Sequence, residues 1–245
     1  SFPTRRSSDL ITPKEQFETL LDSAAMNNQY GIQVMCSGEP EKLQALLPPP
    51  LTVAGTGMVY IYVVNIREPT FAPWYMEGGI GILAEYQGRT AVYFNGLMLE
   101  GPGAFMGMAT GRESNGLPKK LADAIHVSRI GDTGHCTIDR GGTRLLDVRL
   151  TLGQYNDPSM KTFAGEKEAA TRENPIVDEG GGCFNFTFDF NDGFKNMKML
   201  FYDSPTRFSS YEPATATVTL NSSLDDPWGD IPITGVIGAA WMVSD

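Results

Sequence analysis

Between Met58 and Ile66 the chain reads Met-Val-Tyr-Ile-Tyr-Val-Val-Asn-Ile, a run of β-branched and aromatic residues that is a strand signature. Similar segments recur at Ile80–Tyr86, Thr90–Met98, Ala104–Thr110, Arg144–Thr151, Phe184–Phe190, Met197–Tyr202, Ala214–Leu220 and Gly235–Val243. Turn residues separate many of them: Gln87-Gly88, Gly141-Gly142 and Asn191-Asp192-Gly193, the last a hairpin signal between two aromatic-rich strands. Closely spaced strands without intervening helices exclude the βαβ rhythm of a nucleotide-binding sheet and predict a predominantly antiparallel α+β domain.

Helices are expected at the start. Thr12-Pro13-Lys14-Glu15 is a capping box with proline at the first helical position, and Phe17, Leu20, Leu21 and Ala24 give one apolar stripe after it. A second short helix is expected from Pro40 to Leu47, stopped by Pro48-Pro49-Pro50. The polar stretch from Lys161 to Gly182 reads as a long surface loop. Residues 1–10 match the translation of a common sequencing adapter and are set aside, which leaves 11–245 as one expected domain.

Composition narrows the function. A formal net charge of −10 argues against nucleic acid or an anionic membrane surface as partner, since both need a basic face. No apolar run approaches the ~18 residues of a membrane-spanning helix. Cys36, Cys136 and Cys183 are odd in number and far apart, which suits free thiols in a reducing, cytoplasmic compartment better than a disulfide framework. The two histidines, His126 and His135, are too few and too poorly spaced for a zinc site, and no metal or other cofactor is expected.

No phosphate loop, Gly-x-Ser-x-Gly elbow or His-Glu-x-x-His is present, which turns attention to lysine and carboxylate chemistry. Gly111-Arg112-Glu113-Ser114-Asn115-Gly116-Leu117-Pro118-Lys119-Lys120 sets two adjacent lysines directly after a turn shaped by glycine and proline. A lysine beside a second ammonium, or in a dry pocket, gives up its proton more readily and becomes a nucleophile. Without its flanking motifs, the pair would read as a solvated basic turn.

Those flanks carry a resemblance. Gly-Arg-Glu at 111–113 followed by Pro-Lys-Lys at 118–120 resembles the signature of the acetoacetate decarboxylase superfamily, in which a neighbouring cation activates the nucleophilic lysine. Trp74-Tyr75-Met76-Glu77 resembles its Tyr-x-Glu. Asp226-Pro227-Trp228-Gly229-Asp230-Ile231-Pro232-Ile233 resembles its Asp-Pro…Leu-Pro-Val segment, and the likeness runs from about Asn27 to Val243. The resemblance implies a closed-barrel fold, a homo-oligomer, and cofactor-free chemistry on a small keto acid. It makes Lys119 the Schiff-base lysine, Lys120 the neighbouring cation and Glu77 the acid/base carboxylate. Arg112, Glu113 and Tyr75 become candidate substrate contacts, with a structural Arg-Glu ion pair as the plainer alternative for the first two. Tyr93, Phe94 and Phe105 read as core.

Two positions depart from the family pattern. The arginine expected to hold a substrate carboxylate falls on Asn28, and a further family acid falls on Tyr62. Imine chemistry is thereby retained while acetoacetate specificity is weakened. The reaction expected first is decarboxylation of a β-keto acid. The alternatives are an aldolase-dehydratase acting on pyruvate or a related α-keto acid, and a binding protein without turnover.

Overall fold

In the computed structural model the described residues are 25–188 and 196–245. The helix expected on the Phe17, Leu20, Leu21 and Ala24 stripe and the Asn191-Asp192-Gly193 turn lie outside them. The chain runs β1 (Met26–Gly38), α1 (Pro40–Gln44), β2 (Thr52–Val53), β3 (Met58–Pro69), β4 (Tyr75–Tyr86) and β5 (Arg89–Glu100). It continues through α2 (Ala104–Ala109), a π-helical turn (Thr110–Ser114), β6 (Lys119–Leu121), β7 (Ala124–Ile130), β8 (Thr133–Arg140) and β9 (Thr143–Leu152). The last third holds α3 (Met160–Ala164), a 3-10 turn (Gly165–Ala169), β10 (Ile176–Asp178), β11 (Gly182–Phe188), β12 (Met197–Asp203), β13 (Thr206–Leu220), a 3-10 turn (Trp228–Asp230) and β14 (Ile233–Ser244).

The strands form one sheet in the order β12-β11-β5-β4-β3-β1-β14-β13-β9-β8-β7, with β2, β6 and β10 added at its sides. Its pairings are antiparallel except where β11 and β6 run parallel to β5. The expected closed barrel is corrected here: β12 and β7 end the path without pairing to each other, so the sheet is open. It folds over instead, and β7 at the end of the β7–β8–β9 meander packs against β3, β4 and β5.

Strand alternation then assigns two faces. On β3, Val59, Ile61 and Val63 point one way, join Ile80, Ile82, Ile138, Leu146 and Val148 in the main core, and are fully buried. Complete burial of an aliphatic side chain of this size stabilises by about 1.5–3 kcal/mol. Tyr60, Tyr62, Val64 and Ile66 point the other way, toward a cavity. With both faces covered, the strand reads as a nearly unbroken apolar run.

Two expectations about elements also change. Ala104–Thr110 is not a strand but α2 leading into the π turn. Ala104 and Gly107, three residues apart, are its buried positions, whereas Phe105 and Met106 are exposed. A spacing of three is helical, and alanine and methionine favour it. Lys161–Gly182 is not a plain loop either: it contains most of α3, the 3-10 turn at Gly165–Ala169 and β10, which pairs with β13. Met160 and Ala164 are buried there and hold the segment down.

Candidate active site

Glu77 lies on β4 opposite Val64 of β3 and Leu99 of β5, on the cavity face. Lys119 opens β6, which pairs in parallel with β5 so that Lys119 stands opposite Leu97, itself opposite Gly79. Both side chains therefore project from one face. Lys119 Nζ donates to Glu77 Oε2 at 2.7 Å, with side-chain exposures of only 7% and 6%. Two charges removed from water this completely require each other.

The second carboxylate oxygen has its own donor. Tyr62, on β3, donates from its hydroxyl to Glu77 Oε1 at 2.5 Å. Burial first, and then the Glu77 charge, hold the Tyr62 hydroxyl well above its ordinary value, so it stays a donor across the neutral range. Tyr62 stacks on Tyr60 at 5.8 Å and meets Phe94 edge-on at 5.7 Å.

The turn ahead of Lys119 is shaped for the amine. Leu117 N–H donates to Gly111 O at 3.0 Å, and Gly116 N–H donates to Arg112 O at 3.1 Å. Gly116 has φ +68° and a Cβ there would meet Phe186 O at 2.2 Å, so only glycine fits. Gly111 lies against the lysine itself: a Cβ would stand 2.6 Å from Lys119 Cδ and 2.7 Å from Cε. The glycine of the Gly-Arg-Glu motif thus leaves room for the lysine stem.

Of the eight candidate residues, Lys119, Glu77 and Tyr62 converge in the cavity, and the other five do not line it. Lys120, one residue along the strand, turns to the opposite side. Its Nζ donates to Asp226 Oδ1 at 2.6 Å and to Asp225 O at 2.8 Å, while Arg140 Nε donates to Asp226 Oδ2 at 2.9 Å. The Lys120 ammonium is thus engaged by Asp225 and Asp226, outside the lining of the cavity that holds the Lys119 amine. Arg112 and Glu113 are exposed. Asn28, with φ 53°, sits at the start of β1 and donates from Nδ2 to Glu68 Oε1 at 2.8 Å. Tyr75 is fully buried next to Phe71, close under Gly107, and its hydroxyl has no partner. Among the aromatics read as core, Tyr93 packs against Phe186, Phe105 is exposed, and Phe94 lines the cavity.

The cavity measures about 420 Å³ and is mostly apolar, with Val64, Ile66, Phe94 and Leu97 around the reactive pair. Residues that sequence reasoning did not place at the cavity include Cys183, Lys167 and Asp178. Cys183 also faces it, with Asn185 and the Lys119 charge partly opposing the effect of burial, which pushes the thiol up to about 11. Lys167 and Asp178 line it as an ion pair at 2.8 Å. The polar stretch containing them carries no motif, so only spatial placement reveals them. Among the described residues no cluster of three or more His, Cys, Asp or Glu side chains is arranged to hold a metal ion.

A CLA biosynthesis isomerase of Lactiplantibacillus plantarum is 34% identical to this chain over 243 residues, spanning 96% of this chain and 84% of that protein. An acetoacetate decarboxylase of Burkholderia vietnamiensis is 32% identical over 133 residues, 52% of this chain and 51% of its own length. Among solved structures, an acetoacetate decarboxylase superposes with a TM-score of 0.70 at 15% identity, covering 89% of this chain and 84% of that one. The enduracididine biosynthesis enzyme MppR, complexed with the condensation product of pyruvate and imidazole 4-carboxaldehyde, gives a TM-score of 0.62 at 14% identity, covering 89% and 84%. These two likenesses are of fold. Residues 10–245 match the family described as acetoacetate decarboxylase, and with the lysine, its glycine-shaped turn and its buried glutamate all in place, the chain belongs to that family.

Proposed function

We propose that this protein forms an imine between Lys119 and a ketone and uses Glu77 to move a proton between carbons, shifting a carbon–carbon double bond into conjugation. The observation that carries this is the 2.7 Å contact between Lys119 Nζ and Glu77 Oε2 in a buried apolar cavity, with Tyr62 on the other oxygen.

A proton passing from the Lys119 ammonium to Glu77 leaves two neutral groups, which suits an apolar site. The free amine attacks the ketone carbon, and water leaves as the protonated imine forms. That cation withdraws electrons from the neighbouring C–H bond. Glu77, once more a carboxylate, takes the proton from the α-carbon, and the electrons spread over imine and alkene as a dienamine. Returning the same proton to the γ-carbon gives the conjugated iminium, and water releases the enone and the amine. Atoms balance, and the net reaction is an isomerisation. Tyr62 keeps Glu77 aimed at this path.

The reading is supported over decarboxylation by what surrounds the pair. Holding a short β-keto acid calls for a group to seat its carboxylate, while the loss of carbon dioxide itself draws on the iminium as electron sink. Among the described residues lining the cavity the only other cation is Lys167, whose pair with Asp178 lies in a more exposed part of the cavity than Lys119 and Glu77, and Asn28 does not line the cavity. The relative that matches nearly the whole chain is named an isomerase. Decarboxylation of a β-keto acid is the second reading, favoured by the family match and the partial decarboxylase relatives. Pyruvate condensation draws on the same imine, but the neighbour that suggests it is alike in fold only.

The test pairs a β,γ-unsaturated ketone with acetoacetate, following conjugated-enone absorbance for one and carbon dioxide for the other. Enone formation lost in Lys119→Ala, and reduced about 10²–10⁴-fold in Glu77→Gln, is the expected result. Carbon dioxide from acetoacetate with no enone formation would move the second reading ahead.

A further inference from the structure

The cavity is far larger than the reactive pair requires. Its volume of about 420 Å³ is in the range that encloses a drug-sized molecule, whereas acetoacetate has seven heavy atoms. It also holds a second charged pair. Lys167, from the 3-10 turn before β10, donates to Asp178 Oδ2 at 2.8 Å, and Gly180 N–H donates to Asp178 Oδ1 at 3.0 Å. The Lys167 ammonium lies 5.7 Å from the Phe208 ring and 5.6 Å from the Tyr211 ring, a cation held over two aromatic faces. At 15% and 32% side-chain exposure, this pair occupies a more open part of the cavity than Lys119 and Glu77.

The two pairs are set apart across the sheet: Tyr211, beside Lys167, is on β13 and is separated from Glu77 on β4 by β14, β1 and β3. Val64 stands opposite Glu77, and Tyr60 lies four residues away on the same face, ~13 Å along the strand. Tyr60 belongs to the Lys167 end: burial first, then Tyr211 and Asp178, hold its hydroxyl above its ordinary value. Phe94, Val92, Leu83 and Met35 supply apolar wall in the same cavity. A primary ammonium has three donors, and Asp178 is met by one. Asp178 is in turn satisfied by Gly180, so its charge is engaged while Lys167 keeps donors for another acceptor.

We infer that Lys167, steadied by Asp178, receives the remote carboxylate of a substrate whose ketone reaches Lys119, so that the cavity is built for a medium-chain oxo acid. This rests on the imine reading of the same site. An apolar chain fills the space between, the ketone enters first, and the carboxylate stays at the open end. A short β-keto acid would leave the Lys167 end unused.

Borohydride trapping at Lys119 tests this without requiring turnover. The probes are an oxodecanoate with its ketone beside the terminal methyl group, the methyl ester of that molecule, and acetone. The half-saturating concentration for adduct formation is read by peptide mass spectrometry. The acid is expected to saturate about 10- to 100-fold below the ester, the effect of one charge-assisted hydrogen bond, and both below acetone. Lys167→Met should bring acid and ester together, and Lys167→Arg should restore the difference. Equal half-saturation for acid and ester in the unaltered protein overturns the inference while leaving the imine intact. No Lys119 adduct with any probe overturns the imine reading instead.

Discussion

At the scale of single residues, the site turns on which partner each charge has. Tyr62, near which the family resemblance expects an acid, sets a neutral donor on Glu77. Tyr62→Phe should therefore lower kcat for enone formation by about tenfold, with KM changed little, because one hydrogen bond to a charged group is lost. An unchanged kcat would mean that Tyr62 only fills space. The thiols supply a pH prediction. Burial raises Cys36 and Cys136 from an ordinary 9.0 to about 12, and Cys183 to about 11. The folded protein thus keeps thiol protons that the unfolded chain releases, so stability is full below pH 9 and falls as pH rises toward those values. Urea midpoints should drop between pH 8 and pH 11. Alkylation followed by mass spectrometry should find all three thiols slow at neutral pH. Lys119 and Glu77 were legible from motif alone. Tyr62 was legible only as a departure from the family pattern, since nothing local says a strand tyrosine will meet a glutamate on the next strand.

At the scale of elements, the segment from Ala104 to Leu121 leads from a helix to the buried Lys119. α2 ends in a π turn, the turn closes on Gly111 and Gly116, and β6 then runs in parallel beside β5. A π turn in this place fits the general association of such irregularities with functional sites. Gly111→Ala would set a methyl group 2.6 Å from Lys119 Cδ, so the lysine stem must shift and carry the amine with it. The expected outcome is at least tenfold slower borohydride trapping with little change in melting temperature, since a small displacement at a reacting group is costly. On the opposite side of β6, Lys120 and Arg140 converge on Asp226, only 3% exposed. This cluster anchors the strand whose first residue is Lys119. Lys120→Gln should lower stability by about 1–2 kcal/mol, as expected for one charged hydrogen bond with a half-exposed donor, while the pH profile of trapping keeps its shape. A shifted profile would restore the role of an adjacent ammonium. Turn chemistry and strand composition made β3, β5, β9 and β12 readable. Ala104–Thr110 misled because an apolar run of seven residues has no period long enough to separate helix from strand. The polar stretch holding Lys167 and Asp178 hid its small elements because their burial depends on β13 and β14.

At the scale of the whole molecule, strand order decides where the fold is firm. β1 is paired along almost its full length on both sides, with β3 and with β14, and β3 continues into β4. The Glu77 carboxylate and Tyr62 stand on this doubly paired centre. The β11–β12 hairpin differs: among the described residues β11 pairs with β5 at Cys183↔Val92 and Phe184↔Tyr93, and β12 ends the sheet path. Yet Cys183 and Tyr202, one on each of these strands, line the cavity. One wall of the site is therefore carried by a weakly paired part of the sheet, Glu77 and Tyr62 by its doubly paired centre, and Lys119 by the short side strand β6. Segments with few flanking hydrogen bonds open at lower free energy than a core strand. Amide hydrogen exchange should then protect β1, β3 and β14 most, and β12 least. Reduction of a ketone onto Lys119 should slow exchange in β11 and β12 while leaving β1 as it was, because only the hairpin has freedom left to lose. Equal protection of β12 and β1 in the free protein would show that the hairpin is fixed by contacts other than the sheet. A bound chain that left β12 exchange unchanged would place the substrate away from that wall.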